Sequence, residues 1–161
     1  MDPNQPQPQP QTPAQPQPQP NPAASDPAPT LEPAAAGPTK RILMVEDDDA
    51  LASVYTARLE AEGFNIRRVP DGENALAGAL DYHPDLVLLD AMLPKISGFD
   101  VLDILRNTPD TANLKVIMLT ALSQETDIQR AKALGVDDYL VKSQVVIADV
   151  VDRIKQRLGM R

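Results

Sequence analysis

The chain holds 161 residues with a formal net charge of −8, 42% hydrophobic and 24% charged residues, and no cysteine. Without cysteine, disulfides, thiolate metal sites and thiol catalysis are excluded, and the acidic balance weighs against direct binding of nucleic acid, which needs a basic face. No segment approaches the ~20 apolar residues of a bilayer span, and the first residues lack the basic and hydrophobic stretches of a secretory signal, so a soluble, cytoplasmic protein without membrane contact is expected.

Residues 1–39 carry seven glutamines between Gln5 and Gln19, alternating with proline, and neither Lys nor Arg. Leu31 is the one large aliphatic residue after Met1. Such a segment cannot bury enough apolar surface to offset the entropy of ordering. It is expected to be a disordered, polyproline-rich arm acting as a spacer. Residues 40–161 have the size of one domain, near the usual range of roughly 100–150 residues.

That domain reads as five strand–helix units. Strand one is expected over 41–46, then a helix from 49 to 62 with Leu51, Val54, Tyr55 and Leu59 on one face and Gly63 as its stop. Asp48 and Asp49 would cap that helix and place negative charge at its N-terminus. Strand two, 65–69, carries Arg67 and Arg68 and suits a sheet edge. A helix after Asp71-Gly72 ends before Pro84, leaving His83 at the surface. Strand three is 85–89. Ser97 and Asp100 resemble a capping box for a helix reaching Arg106, and Pro94 and Gly98 shape the loop before it. Strand four is 115–119, its helix runs from Gln124 to Leu134, and strand five is 138–141. The last helix places Ile147, Val150, Val151, Ile154 and Leu158 on one stripe. Strands one, three and four are apolar on both faces, as central strands covered by helices must be. The expectation is a doubly wound, five-stranded parallel α/β sheet of order 2-1-3-4-5 flanked by five helices, a flavodoxin-like fold.

In such a sheet the carboxyl ends of the strands share one edge, where ligand sites form. Strand one runs into Glu46 and Asp47, strand three into Asp90, strand four into Thr120, and strand five into Lys142. Crowded carboxylates repel unless neutralised. A hard cation with oxygen ligands answers this, and Mg²⁺ suits a site of few carboxylates that shares a phosphate oxygen. Lys142 offers a point charge for a phosphoryl oxygen, and Thr120 a hydroxyl donor. A carboxylate in that company is equipped to attack phosphorus and form an acyl phosphate.

The segments Ile42–Asp48, Asp85–Gly98, Val116–Ala121 and Asp137–Lys142 resemble, in order and spacing, the receiver domain of bacterial two-component response regulators. The resemblance spans nearly all of 40–158. It implies a signalling phosphoacceptor with Asp90 as the phosphorylated residue, catalysing its own Mg²⁺-dependent phosphoryl transfer and slow dephosphorylation. It implies Asp47 and Asp90 as direct Mg²⁺ ligands, Glu46 through water, and the backbone carbonyl of Met92 completing the site. Thr120 and Lys142 would contact the phosphoryl group, and Tyr139 would be the aromatic switch residue that turns inward as Thr120 moves. The family usually has proline after the strand-five lysine; here Ser143 follows Lys142, so a trans bond is expected, since cis before a non-proline residue costs about 2.5–4 kcal/mol. Met92 and Leu122 are apolar at the positions that tune phosphate lifetime in the family.

The resemblance further implies a sensor histidine kinase or phosphotransfer protein as donor. Nothing after the last helix reads as an output domain, so a stand-alone receiver is expected. It would act on a downstream protein, in a relay, or by self-dimerisation through the face of helix four, strand five and helix five, where Lys132, Asp137, Asp138, Asp149 and Arg153 mix their charges. Two other classes fare worse. A phosphatase of the haloacid dehalogenase type wants a second aspartate where Met92 stands, and a flavodoxin-like cofactor binder wants a Ser/Thr/Gly-rich loop where Glu46, Asp47 and Asp48 stand.

Overall fold

The computed structural model describes residue 10 and residues 39–160; the expected arm, apart from residue 10, lies outside the described residues. The strands are β1 (Arg41–Val45), β2 (Asn65–Val69), β3 (Leu86–Leu89), β4 (Lys115–Thr120) and β5 (Asp138–Val141), alternating with helices α1 (Asp49–Ala61), α2 (Gly72–Asp81), α3 (Gly98–Asn107), α4 (Glu125–Ala133) and α5 (Ile147–Arg157). All strand pairs are parallel, in the order β2-β1-β3-β4-β5. The doubly wound order expected from the sequence is the one observed. Among the described residues no helix is long and apolar enough to cross a membrane.

The alternation of side chains along the strands divides the interior into two layers. Ile42, Met44, Leu86, Leu88, Ile117, Leu119 and Leu140 face one side, against Tyr55 and Leu59 of α1 and Val150, Val151 and Ile154 of α5. Leu43, Val45, Val87, Leu89, Val116 and Met118 face the other, against α2 and α3 and against Ala131 of α4. Strands buried on both faces explain the continuous apolar runs. β2 is an edge strand, as its two arginines indicated.

Helix ends follow the expected chemistry. Asp48 caps α1, its carboxylate accepting from the Leu51 N–H at 3.0 Å. Ser97 caps α3 by accepting from the Asp100 N–H at 3.2 Å, but the Asp100 carboxylate takes the Ser97 hydroxyl rather than its backbone N–H, so the reciprocal half of a capping box is altered. Gly63 and Gly135 follow their helices with φ of +95° and +89°, the left-handed conformation that glycine adopts without penalty.

The α1 face differs from the expected one. Val54 is 59% exposed, and Ala52 is buried in its place beside Tyr55 and Leu59. At 3.6 residues per turn, positions 51, 55 and 59 drift toward 52, and 54 falls on the opposite flank.

Candidate functional site

The site lies where β1, β3, β4 and β5 end together. Glu46 follows β1 and still donates its N–H to the Val69 carbonyl at 3.1 Å, extending the pairing with β2 by one residue. Asp90 follows β3, its N–H bonded to the Val45 carbonyl at 3.1 Å. Glu46 and Asp90 are each only 6% exposed, and Asp47 beside them is exposed. One carboxylate oxygen from each of Glu46, Asp47 and Asp90 falls within a cluster whose atoms lie within 4.8 Å of one another. An all-oxygen donor set of that span suits a hard divalent cation.

Lys142 reaches into this cluster from the end of β5. Its Nζ donates to Glu46 Oε2 at 2.7 Å and to Asp90 Oδ2 at 2.8 Å. The other oxygen of Asp90, Oδ1, accepts from the Met92 N–H at 3.0 Å, and Glu46 Oε1 accepts from the Asp48 N–H at 3.2 Å. Burial works against charge on the Lys142 ammonium, but the hydrogen bonds to Asp90 and Glu46 outweigh it and hold its pKa above the usual lysine value. Glu46 is pushed up: burial dominates, and the bonds from Lys142 and the Asp48 N–H offset it only in part. The ammonium therefore stays charged, and burial favours the neutral form of the Glu46 carboxyl.

Among the described residues there is no cis peptide, so the Lys142–Ser143 bond is trans, as expected for a non-proline residue. The Lys142 N–H donates to the Thr120 carbonyl at 2.8 Å, which sets the start of that loop without proline. The reach of Lys142 is undiminished.

Thr120 closes β4 and is fully buried. Its hydroxyl accepts from the Leu122 N–H at 3.4 Å. Tyr139 is half-buried, and its hydroxyl donates to the Leu122 carbonyl at 2.8 Å. Thr120 and Tyr139 thus hold the same residue, one from each side of the β4–α4 loop. The Tyr139 phenol is pushed up to about 12 by burial first, then by the charges of Asp127 and Asp90. The Met92 side chain is 57% exposed in the loop after Asp90, and His83 is exposed at the far end of the sheet from this cluster.

Gly98 holds the backbone side of the site. Its N–H donates to the Ala91 carbonyl at 2.9 Å. A Cβ there would meet the Asp90 carbonyl oxygen, and would lie 2.7 Å from Ala91 Cα. Pro94 supplies a carbonyl to the Ile96 N–H at 2.9 Å.

Three contacts, one at this site and two at the opposite, amino-terminal end of the strands, were not legible from the motifs. Arg68 donates from Nε and Nη2 to the Glu46 carbonyl at 2.9 and 2.7 Å, and from Nη1 to Asp49 Oδ1 at 2.6 Å. Arg106 ties α3 to the Gly135 carbonyl at 2.9 Å and to Asp137 Oδ2 at 3.0 Å. Tyr82 lies under Arg67, whose guanidinium is 4.4 Å from the ring centroid. An arginine in an edge strand was the one available signal, and it indicated only exposure.

Four of the five charges expected to pair across a dimer, all but Lys132, are engaged within the chain. Asp137 is held by Arg106 and the Val116 N–H, Asp138 by Arg153 at 3.0 Å and Arg157 at 3.3 Å, and Asp149 by the Val146 N–H. The partners of Asp137 and Asp138 lie on other elements, and that of Asp149 is the cap of its own helix, relations that charge composition does not reveal.

Comparison with known proteins agrees with this geometry. The family model described as the response regulator receiver domain matches residues 42–155. The chain is 42% identical over 102 residues to the DNA-binding dual master transcriptional regulator RpaA of Synechocystis, a match covering 63% of this chain and 42% of that protein. It is 39% identical over 119 residues to the DNA-binding response regulator MtrA of Mycolicibacterium smegmatis, covering 74% of this chain and 50% of that protein. Among solved structures, the response regulator receiver domain protein of Methanospirillum hungatei superposes with a TM-score of 0.70 at 28% identity, covering 76% of this chain and 95% of that one. The BeF3-activated receiver domain of Klebsiella pneumoniae RstA superposes with a TM-score of 0.69 at 28% identity, covering 74% and 98%. The chain spans about half the length of the curated relatives it matches.

These relatives correct the expectation of a regulator without direct nucleic-acid contact. They are DNA-binding proteins by name, and half of their length lies outside the match. The charge of a receiver module describes that module and not the regulator as a whole. Strand-end carboxylates, the lysine bridging them, the parallel sheet and the matched family agree: the chain belongs to the response regulator receiver domain family.

Proposed function

We propose that this receiver accepts a phosphoryl group on Asp90 from a phosphohistidine donor and thereby switches its contacts with other proteins. The observation that carries the reading is the Lys142 ammonium bound at once to Asp90 and Glu46, at 2.8 and 2.7 Å, beside the exposed Asp47 carboxylate. In the reaction a carboxylate oxygen of Asp90 forms a bond to phosphorus as the phosphorus–imidazole bond breaks, and the electron pair leaves on nitrogen. Lys142 then transfers its attraction from the carboxylate to the phosphoryl oxygens. Glu46, Asp47, Asp90 and the Met92 carbonyl would hold Mg²⁺, which when bound supplies neutralisation of phosphoryl charge. The exposed Met92 side chain and half-buried Leu122 would limit the approach of hydrolytic water.

Thr120 and Tyr139 are proposed as the readout. Their hydrogen bonds meet at Leu122, so a hydroxyl drawn toward a phosphoryl group would release one side of the loop that Tyr139 holds from the other. In this reading residues 40–161 form the receiver and residues 1–39 a cytoplasmic spacer arm that the chemistry does not need.

Incubating the chain with acetyl phosphate and Mg²⁺ tests the reading. One hydroxylamine-labile phosphoryl group is expected, lost in Asp90→Asn. Beryllofluoride, present in the similar Klebsiella receiver structure, should compete with the label.

A further inference from the structure

Among the described residues, Arg68 is the one basic side chain that grips the backbone of the acidic loop. In a parallel ladder the Glu46 carbonyl would next accept an N–H from the loop after β2, just as the Glu46 N–H already donates to Val69. That pairing stops here: β2 ends at Val69, and the next donor in register, the Asp71 N–H, makes no bond to the Glu46 carbonyl among the described residues. The Arg68 side chain supplies the missing donors, two N–H groups at 2.9 and 2.7 Å from the same oxygen. Its third contact, to Asp49 at 2.6 Å, joins the first turn of α1 to the same guanidinium.

This matters because of Asp47. Its carboxylate belongs to the acidic cluster, yet among the described residues no donor holds it. Its direction is set by the backbone between Glu46 and the Asp48 cap. The Asp48 side is fixed by the cap bond to Leu51, and the Glu46 side by Arg68. The planar guanidinium can make both carbonyl bonds and the Asp49 pair at one time, which a lysine ammonium on a flexible stem cannot reproduce in a fixed plane.

We propose that Arg68 is a positioning residue for cation binding, holding the Glu46–Asp47 peptide so that the Asp47 carboxylate stays aimed at Asp90. The inference rests on the metal reading above and goes beyond it by assigning a residue outside the strand-end motif. Groups that orient ligands without touching the metal are worth roughly 10–100-fold in affinity, and a residue acting through a peptide plane belongs at the low end.

Mg²⁺ titration of the full chain by calorimetry is the test, with thermal unfolding run in parallel. Arg68→Ala should weaken Mg²⁺ binding by roughly tenfold, and the acetyl phosphate reaction should recover at high Mg²⁺ because only the cation affinity has changed. Arg68→Lys should recover little of the loss, and Asp49→Asn, which keeps both carbonyl bonds, should bind Mg²⁺ as the wild type does. If Arg68→Ala fails to fold, Arg68→Gln, with one amide donor left for the carbonyl, should show an intermediate weakening. Wild-type binding lost in Asp47→Ala but unchanged in the Arg68 variants would overturn the positioning role alone. No saturable Mg²⁺ binding by the wild type would overturn the metal reading, and this inference with it.

Discussion

Lys142 Nζ stands 2.8 Å from Asp90 Oδ2, joining the end of β5 to the end of β3 across 52 residues of sequence. The same nitrogen holds Glu46 at 2.7 Å, and all three side chains are largely buried. One ammonium thus offsets two carboxylates that would otherwise face each other at low solvent exposure. Removing one partner of such a group leaves the others buried and unpaired. Lys142→Met should therefore lower stability by about 1–3 kcal/mol. Because Mg²⁺ is proposed to meet the same carboxylates, added Mg²⁺ should restore more stability to this variant than to the wild type. Denaturant unfolding with and without Mg²⁺ reads both effects, and equal Mg²⁺ responses would count against a shared site.

The Glu46 carboxyl has its pKa raised by burial above its ordinary 4.5. The folded state therefore favours the protonated form. Stability from this group is full below the ordinary value and is lost as pH rises through the raised one. Glu46→Gln keeps the shape without the charge. It should be more stable than the wild type at neutral pH, with the advantage fading as pH falls through the raised value toward 4.5. Melting temperatures of the two proteins across that window decide it, and a wild type that gains on the variant as pH rises would refute the assignment.

Tyr139 should behave as a phenol that resists ionisation. Its pKa is pushed up to about 12 from an ordinary 10.0, mainly by burial. The raised value makes its contribution present below 10 and lost as pH climbs toward 12. Tyr139→Phe gives up the bond to the Leu122 carbonyl, about 1 kcal/mol at neutral pH, but should lose less stability than the wild type between those two values. Unfolding curves at alkaline pH would show the two proteins converging.

Gly98 should tolerate no side chain. A Cβ there would be 2.7 Å from Ala91 Cα and would press on the Asp90 carbonyl, so backbone must move. Gly98→Ala should cost about 1–3 kcal/mol and slow labelling of Asp90 by displacing it. A variant with wild-type stability and labelling would show that the loop yields freely.

The architecture was legible because parallel strands buried on both faces leave unbroken apolar runs, and because each run ends on a group with its own chemistry. Glu46, Asp47, Asp90 and Lys142 could be gathered at one edge from spacing and topology. The contacts that hold them were less legible. Arg68 binds a backbone carbonyl 22 residues away, and Tyr139 binds another 17 residues away. Backbone acceptors carry no mark in a sequence, since every residue has one. Val54 was misassigned because a helix face drifts as it packs, and Ala52 fills the core with too little apolar bulk to announce itself. Asp137, Asp138 and Arg153 read as free surface charges until their intramolecular partners are seen.

Peptide mapping by mass spectrometry after acetyl phosphate treatment, on wild type, Asp90→Asn and Thr120→Ala, tests the central claim most directly. Asp90 is proposed as the nucleophile, and Thr120 as a reader whose lost contact changes coupling by about 1–3 kcal/mol without removing the acceptor. The wild type and Thr120→Ala should both carry phosphate on the Asp90 peptide, Thr120→Ala without the partner response, and Asp90→Asn should carry none. Phosphate found on Asp47, Asp48 or His83 while Asp90 stays bare would contradict the account.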